Sequence, residues 1–160
     1  MNQLNKTFKI LQKYNIIHRD IKLDNILIKN KYNNDDSNIN FIPKLGDFGT
    51  SKPLTNTIGK TNIGTPLTMA PEILEGEEYD NKCDLWSIGI IIYQLYFNDY
   101  PYKAKTLVGL FNEIKNNGKK FLRKTNDIKL DNLINSLLTK NPKERINYDQ
   151  YFNHPFLKKN

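Results

Sequence analysis

Residues 84–96 carry Leu85, Trp86, Ile88, Ile90, Ile91, Ile92, Tyr93 and Leu95, apolar side chains that fall on nearly every face of a helix. A surface helix keeps a polar face, whereas one that is apolar all round belongs in the middle of a domain. Whatever this chain folds into must therefore pack its other elements around that segment. The candidates for that packing are visible. Leu4, Phe8 and Leu11 recur at helical spacing, with Tyr14 adding an aromatic near the end, and Leu107, Leu110, Phe111 and Ile114 form one amphipathic face. Leu130, Leu133, Ile134, Leu137 and Leu138 form another, which Asn141-Pro142 is expected to end because proline cannot continue a helix. A last short helix near 148–152 should stop at His154-Pro155. Only Ile26-Leu27-Ile28 and Lys44-Leu45-Gly46 read as strands. The fold class is mainly α (α+β), a helical bundle around a central buried helix with a small β-hairpin.

Length and composition agree with one domain over 1–160. The chain has 160 residues, 38% of them hydrophobic, which is enough to bury a core. Residues 29–43, between the two strands, are rich in Asn and Asp, a turn-forming and solvated composition, and read as a loop insertion. Two readings of the insertion stand: a docking element, or a tolerated surface insertion. The net charge of +7 is spread among acids and does not form blocks, so it argues for neither nucleic acid nor a membrane surface as partner. Cys83 is the only cysteine, which excludes an internal disulfide and suits a reducing compartment. No apolar leader is evident, and 88–95 is too short to span a bilayer; the expectation is an intracellular protein, cytoplasmic or nuclear.

The chemistry lies in short motifs and their order. His18-Arg19-Asp20-Ile21-Lys22-Leu23-Asp24-Asn25 is followed by Asp47-Phe48-Gly49, then Gly64-Thr65-Pro66, then Ala70-Pro71-Glu72. Either His-Arg-Asp or Asp-Phe-Gly alone could be a buried histidine beside a paired carboxylate, or an ordinary turn. Together and in this order they resemble the catalytic loop, metal-binding turn and activation-segment end of the eukaryotic protein kinases. Asp84-Leu85-Trp86-Ser87-Ile88-Gly89 is similar to the opening of that family's central helix, and the resemblance runs from about residue 4 to residue 157. Lys22 in the catalytic loop and Thr65 before Ala-Pro-Glu look like the serine/threonine branch.

The resemblance implies a C-terminal lobe whose activity is transfer of the ATP γ-phosphoryl to a protein Ser/Thr hydroxyl, with ATP and Mg²⁺ as cofactors. It implies Asp20 as the group that accepts or orients the substrate proton and Lys22 as the cation on the γ-phosphoryl. Asn25 and Asp47 would be the oxygen ligands of Mg²⁺, Gly49 would give the turn its backbone freedom, and Leu27 would be the floor for adenine. Asp24 sits where some members contact basic substrate residues, although an exposed Asp commonly meets only water. Arg19 would bind an activation-loop phosphate, with Thr61 the best-placed acceptor among Thr55, Thr57 and Thr61 and Thr65 close by; these are otherwise simply polar loop residues.

Other residues are implied to be structural. Glu72 and Arg145 resemble a buried ion pair tying the activation segment to the lower lobe. Asp84 would hold the catalytic-loop backbone, and His18 and Phe48 resemble the lower members of a stack of side chains. His154 reads as a helix terminator and Cys83 as a packing residue.

No Gly-rich phosphate loop, strand lysine or αC glutamate precedes His18. The expectation is therefore a C-lobe whose N-lobe is either missing from this sequence or supplied elsewhere, with an uncovered apolar face where the lobes would meet. Three readings follow: a serine/threonine kinase portion, with a protein substrate and, as partners, a separately supplied N-lobe or an activating kinase; a non-catalytic C-lobe interaction module acting through its αG region; or a decayed product without a stable fold.

Overall fold

A computed structural model describes residues 2–31, 40–53, 66–117 and 122–158. Helix α1 (Asn2–Lys13) leads through strand β1 (Ile16–Ile17) into the loop carrying His18 to Asn25. Strands β2 (Ile26–Lys31) and β3 (Asn40–Leu45) form an antiparallel hairpin in the register Ile26↔Leu45 to Lys31↔Asn40. Strand β4 (Lys52–Pro53) returns to pair antiparallel with β1, Ile16 opposite Pro53 and Ile17 opposite Lys52. The remaining elements are helices: α2 (Pro71–Leu74), α3 (Lys82–Phe97), α4 (Leu107–Asn117), α5 (Ile128–Leu137) and α6 (Tyr148–Phe152).

Helix α3 is the centre. Every residue from Cys83 to Tyr93 is buried, among them Trp86, Leu85 and Ile90 with no exposed surface. Its last turn departs from the all-round burial expected: Leu95 and Tyr96 face solvent. Gly89 lets α5 approach closely. A Cβ there would lie 2.8 Å from the Leu137 Cβ and 2.9 Å from Leu138 Cδ2, closer than carbon atoms tolerate. Leu4, Phe8 and Leu11 are the buried stripe of α1, while Tyr14 is exposed. Cys83 is buried against the core, and burial pushes its thiol well up, which suits a packing residue.

Two boundaries differ from the sequence reading. The hairpin takes in Lys29 to Lys31 and Asn40 to Pro43, placed above in the connection, so the ladder is longer than Ile26-Leu27-Ile28 against Lys44-Leu45-Gly46. Backbone pairing carries this extension where side-chain alternation does not. Helix α5 stops at Leu137, ahead of Asn141-Pro142. The carbonyls beyond its end are captured by Arg145, whose Nε donates to Thr139 O at 2.9 Å and Nη2 to Lys140 O at 3.1 Å, so the chain turns before proline would force it. Helix α6 matches its expected span and is closed at its start by a capping box between Asn147 and Gln150.

Candidate active site

The loop from His18 to Asn25 is fastened to the buried helix. Asp84, without exposed surface in the first turn of α3, accepts the main-chain N–H of His18 through Oδ2 at 2.8 Å and that of Arg19 through Oδ1 at 2.9 Å. Burial pushes the Asp84 carboxyl up, and those two N–H groups pull it back toward the ionised form. Arg19 takes a left-handed backbone, φ 68°, which turns the chain so that both N–H groups face one carboxylate.

His18 is also buried. Its Nε2 lies 3.0 Å from the Gly46 carbonyl, which can only accept, so Nε2 carries the proton and Nδ1 is left to accept from Asp20 N–H at 3.4 Å. Phe48 meets the His18 ring edge-on, centroids 4.9 Å apart, and is otherwise half exposed. The two aromatic groups therefore join the loop to the turn after β3.

Asp20, Lys22 and Asn25 converge. Lys22 Nζ lies 2.9 Å from Asp20 Oδ2. Asn25 Nδ2 donates to the Asp20 carbonyl oxygen at 2.8 Å and to Asp20 Oδ2 at 3.1 Å. The hydrogen bond from Lys22 to Asp20 raises the lysine above its ordinary range, with the charges of Asp24 and Asp47 adding to the effect, so Lys22 stays a cation. Asn25 sits in a 3₁₀ turn, Leu23–Asn25, closed by its own N–H on Lys22 O at 3.1 Å.

Asp47 stands across from this cluster at the end of β3, exposed and left-handed at φ 55°. The backbone freedom expected of Gly49 is thus used at Asp47 instead, a short polar residue that tolerates that region. Gly49 serves by close approach: its N–H donates to Asp47 Oδ1 at 3.3 Å, and a Cβ would lie 3.2 Å from the same oxygen. Leu27 lies on the neighbouring strand, largely exposed, its Cδ1 3.1 Å from where a Gly46 Cβ would be. Asp24 is exposed on the loop.

Glu72 and Arg145 form a bidentate pair inside the protein, Nη1 to Oε1 at 2.6 Å and Nη2 to Oε2 at 2.8 Å, both side chains essentially without exposed surface. Arg145 also donates to the Lys82 carbonyl at 2.9 Å, so all five of its N–H groups have acceptors, and the guanidinium lies over Trp86 at 5.2 Å. Thr55, Thr57, Thr61, Gly64 and Thr65 lie outside the described residues.

Two participants escaped the sequence reading. The Arg19 guanidinium is turned onto the Thr50 carbonyl, with Nε at 2.7 Å and Nη2 as a second donor, and Nη1 donates to the Tyr79 hydroxyl at 3.3 Å. Thr50 Oγ1 donates in turn to the His18 carbonyl at 3.0 Å. Nothing in the residue types around Thr50 or Tyr79 signals this; only the pairing of β1 with β4 brings Thr50 beside the loop.

The chain belongs to the protein kinase family, whose model, described as "Protein kinase domain", matches residues 1–157. It is similar to the serine/threonine-protein kinase ATG1c of Arabidopsis thaliana, 38% identical across 98% of this chain and 21% of the relative. It is also similar to atg1 of Dictyostelium discoideum, 38% identical across 100% of this chain and 23% of the relative. Human ULK1, a serine/threonine-protein kinase, is 34% identical across 98% of this chain and 15% of the relative. The chain thus spans roughly a fifth of the length of these relatives.

Proposed function

We propose that this chain carries the catalytic loop of a serine/threonine protein kinase, which transfers the γ-phosphoryl of ATP to a hydroxyl of a protein substrate. The observation that carries the reading is the convergence of Lys22 and Asn25 on Asp20, on a loop fastened by the buried Asp84. Asp20 orients the substrate hydroxyl and receives its proton. Lys22, kept cationic by Asp20, sits where charge builds on the transferring phosphoryl.

The donors fit Mg²⁺. Asn25 commits its amide nitrogen to Asp20, so the amide oxygen is what it can offer a cation, and Asp47 adds an exposed carboxylate. Mg²⁺ takes one or two protein oxygens and fills its shell with phosphates and water, a demand these two side chains can meet. When bound, Mg²⁺ supplies neutralisation of the phosphate charge.

Leu27 offers one apolar wall to adenine. The reading includes a small lobe, on a longer polypeptide or a separate one, that closes on Leu27 and Phe48, both exposed large hydrophobics. An alternative is a non-catalytic module that binds partners through α4, whose opening residues Leu107 and Val108 are exposed.

The test is Mg-ATP-dependent phosphorylation of a generic basic protein by the polypeptide captured from its own cells with an antibody to residues 148–160. Asp20→Ala and Asp47→Ala should each lower transfer about 100-fold or more while circular dichroism stays unchanged. Transfer by the parent that is no greater than by either variant would replace this reading with the interaction module.

A further inference from the structure

Tyr79 lies in the irregular stretch between α2 and α3, half-buried, with its phenol oxygen accepting from Arg19 Nη1 at 3.3 Å. The other edge of the guanidinium is on the Thr50 carbonyl, and the Arg19 main chain is on Asp84. One cation therefore joins the catalytic loop, the turn after Asp47 and the segment leading into α3. Its contact with Tyr79 is the loosest of these, a neutral oxygen at the long end of hydrogen-bond range. It is also the contact that a covalent change could convert from neutral to charged, since Thr50 meets Arg19 through its main chain. Glu77, Glu78 and Asp80 around Tyr79 are exposed, and Tyr79 borders an open cleft of about 300 Å³ that it shares with Lys82, Pro142 and Lys143.

We propose that Tyr79 is a site of regulatory tyrosine phosphorylation and that Arg19 receives the phosphate. The phenol oxygen forms a bond to the γ-phosphorus of a nucleoside triphosphate held by a separate tyrosine-directed kinase. The bond from that phosphorus to the β–γ bridging oxygen breaks, the nucleoside diphosphate leaves, and the phenol proton passes to that kinase's catalytic carboxylate. The acidic flank Glu77, Glu78 and Asp80 suits an enzyme with a basic substrate groove. The same carboxylates repel the new phosphate, and Arg19, Lys82 and Lys143 offset them. The modification adds about −1.5 to −2 charges and three acceptor oxygens in place of one weak acceptor. A guanidinium meets such a group with paired N–H bonds, so Arg19 is held more firmly between the loop and the segment before α3. The effect on catalysis rests on the functional reading above; the phosphate contact itself does not.

The experiment uses the full chain with phosphotyrosine installed at position 79 during translation, followed by ³¹P NMR across pH. The second phosphate ionisation, ordinarily near pH ~6, should fall by roughly half a unit or more, and should return in Arg19→Gln. Equal midpoints in the two proteins, or a phosphorylated parent that does not fold, would overturn the receptor. A readout that leaves Arg19 in place is the ¹⁵N resonances of its side chain, which should move on phosphorylation; unmoved resonances also overturn it. Mass spectrometry of protein from its own cells, taken under phosphatase inhibition, should find the peptide containing Tyr79 modified, and its absence there sinks the modification. None of these measurements reads phosphoryl transfer by this chain, so their failure is distinguishable from failure of the kinase reading.

Discussion

The carboxylate of Asp84 and the main-chain N–H of His18 are 66 residues apart in sequence and 2.8 Å apart in space. The second oxygen of the same carboxylate serves the N–H of Arg19, so a single buried side chain fixes the loop that presents Asp20. Asp84→Asn keeps one acceptor and sets an amide NH₂ against the other N–H. It should lose about 1–3 kcal/mol of stability, and Asp84→Ala, which orphans both N–H groups, should lose more. Urea unfolding monitored by Trp86 fluorescence checks the order. Equal midpoints for all three proteins would mean that the loop is held by something other than Asp84.

The pair Glu72–Arg145 should behave as a buried ion pair does. Arg145→Met alone leaves Glu72 as an unpaired charge with 1% exposure and should cost about 3–5 kcal/mol. Glu72→Gln combined with Arg145→Met should be less damaging than the two single losses summed. A double-mutant cycle by chemical denaturation measures this, and additive losses would show that the two side chains do not act as a pair.

His154 makes stability depend on pH. Burial lowers its pKa below the ordinary 6.5. Its Nε2 bonds Asn132 Oδ1 at 2.9 Å while Nδ1 accepts from Phe156 N–H at 3.3 Å, an arrangement open only to the neutral ring. A folded pKa below the unfolded one means that the unfolded chain binds the proton first as pH falls. The stability from this residue is therefore complete above about 6.5 and declines as pH drops from there toward the folded pKa. Thermal midpoints between pH 7.5 and about 5 should fall less in His154→Gln than in the parent. Parallel profiles would assign the decline to other groups.

Ile28 and Phe41 lie on one face of the β2–β3 hairpin, each 56% exposed. Replacing both with Lys should lessen self-association by light scattering and leave the thermal midpoint nearly unchanged, since surface substitutions shift stability by about 0.5 kcal/mol or less. A marked fall in the midpoint would mean that these side chains support the fold.

Much of this architecture is legible from local pattern. Period 3.6 shows where α1, α4 and α5 lie because each buries one stripe, and the apolar run after Asp84 shows α3 because a helix without a polar face has one place to go. The site residues are legible as an ordered motif set. The hairpin's outer residues are less so: Lys29 to Lys31 and Asn40 carry no alternation, and their pairing is a main-chain property. The end of α5 is equally hidden, since it depends on Arg145 reaching back to Thr139 and Lys140.

Residue order by itself determined the central helix, the amphipathic helices around it and the presence of Asp20, Lys22, Asn25 and Asp47, because periodicity and motif spacing are local properties of a chain. Only the tertiary structure decided that Asp84 grips His18 and Arg19, that the left-handed residue of the Asp47-Phe48-Gly49 turn is Asp47 and not Gly49, and that Arg19 rests on Thr50 and Tyr79. Those are contacts between groups distant in sequence, and their energy depends on burial and direction, which exist only once the elements have packed.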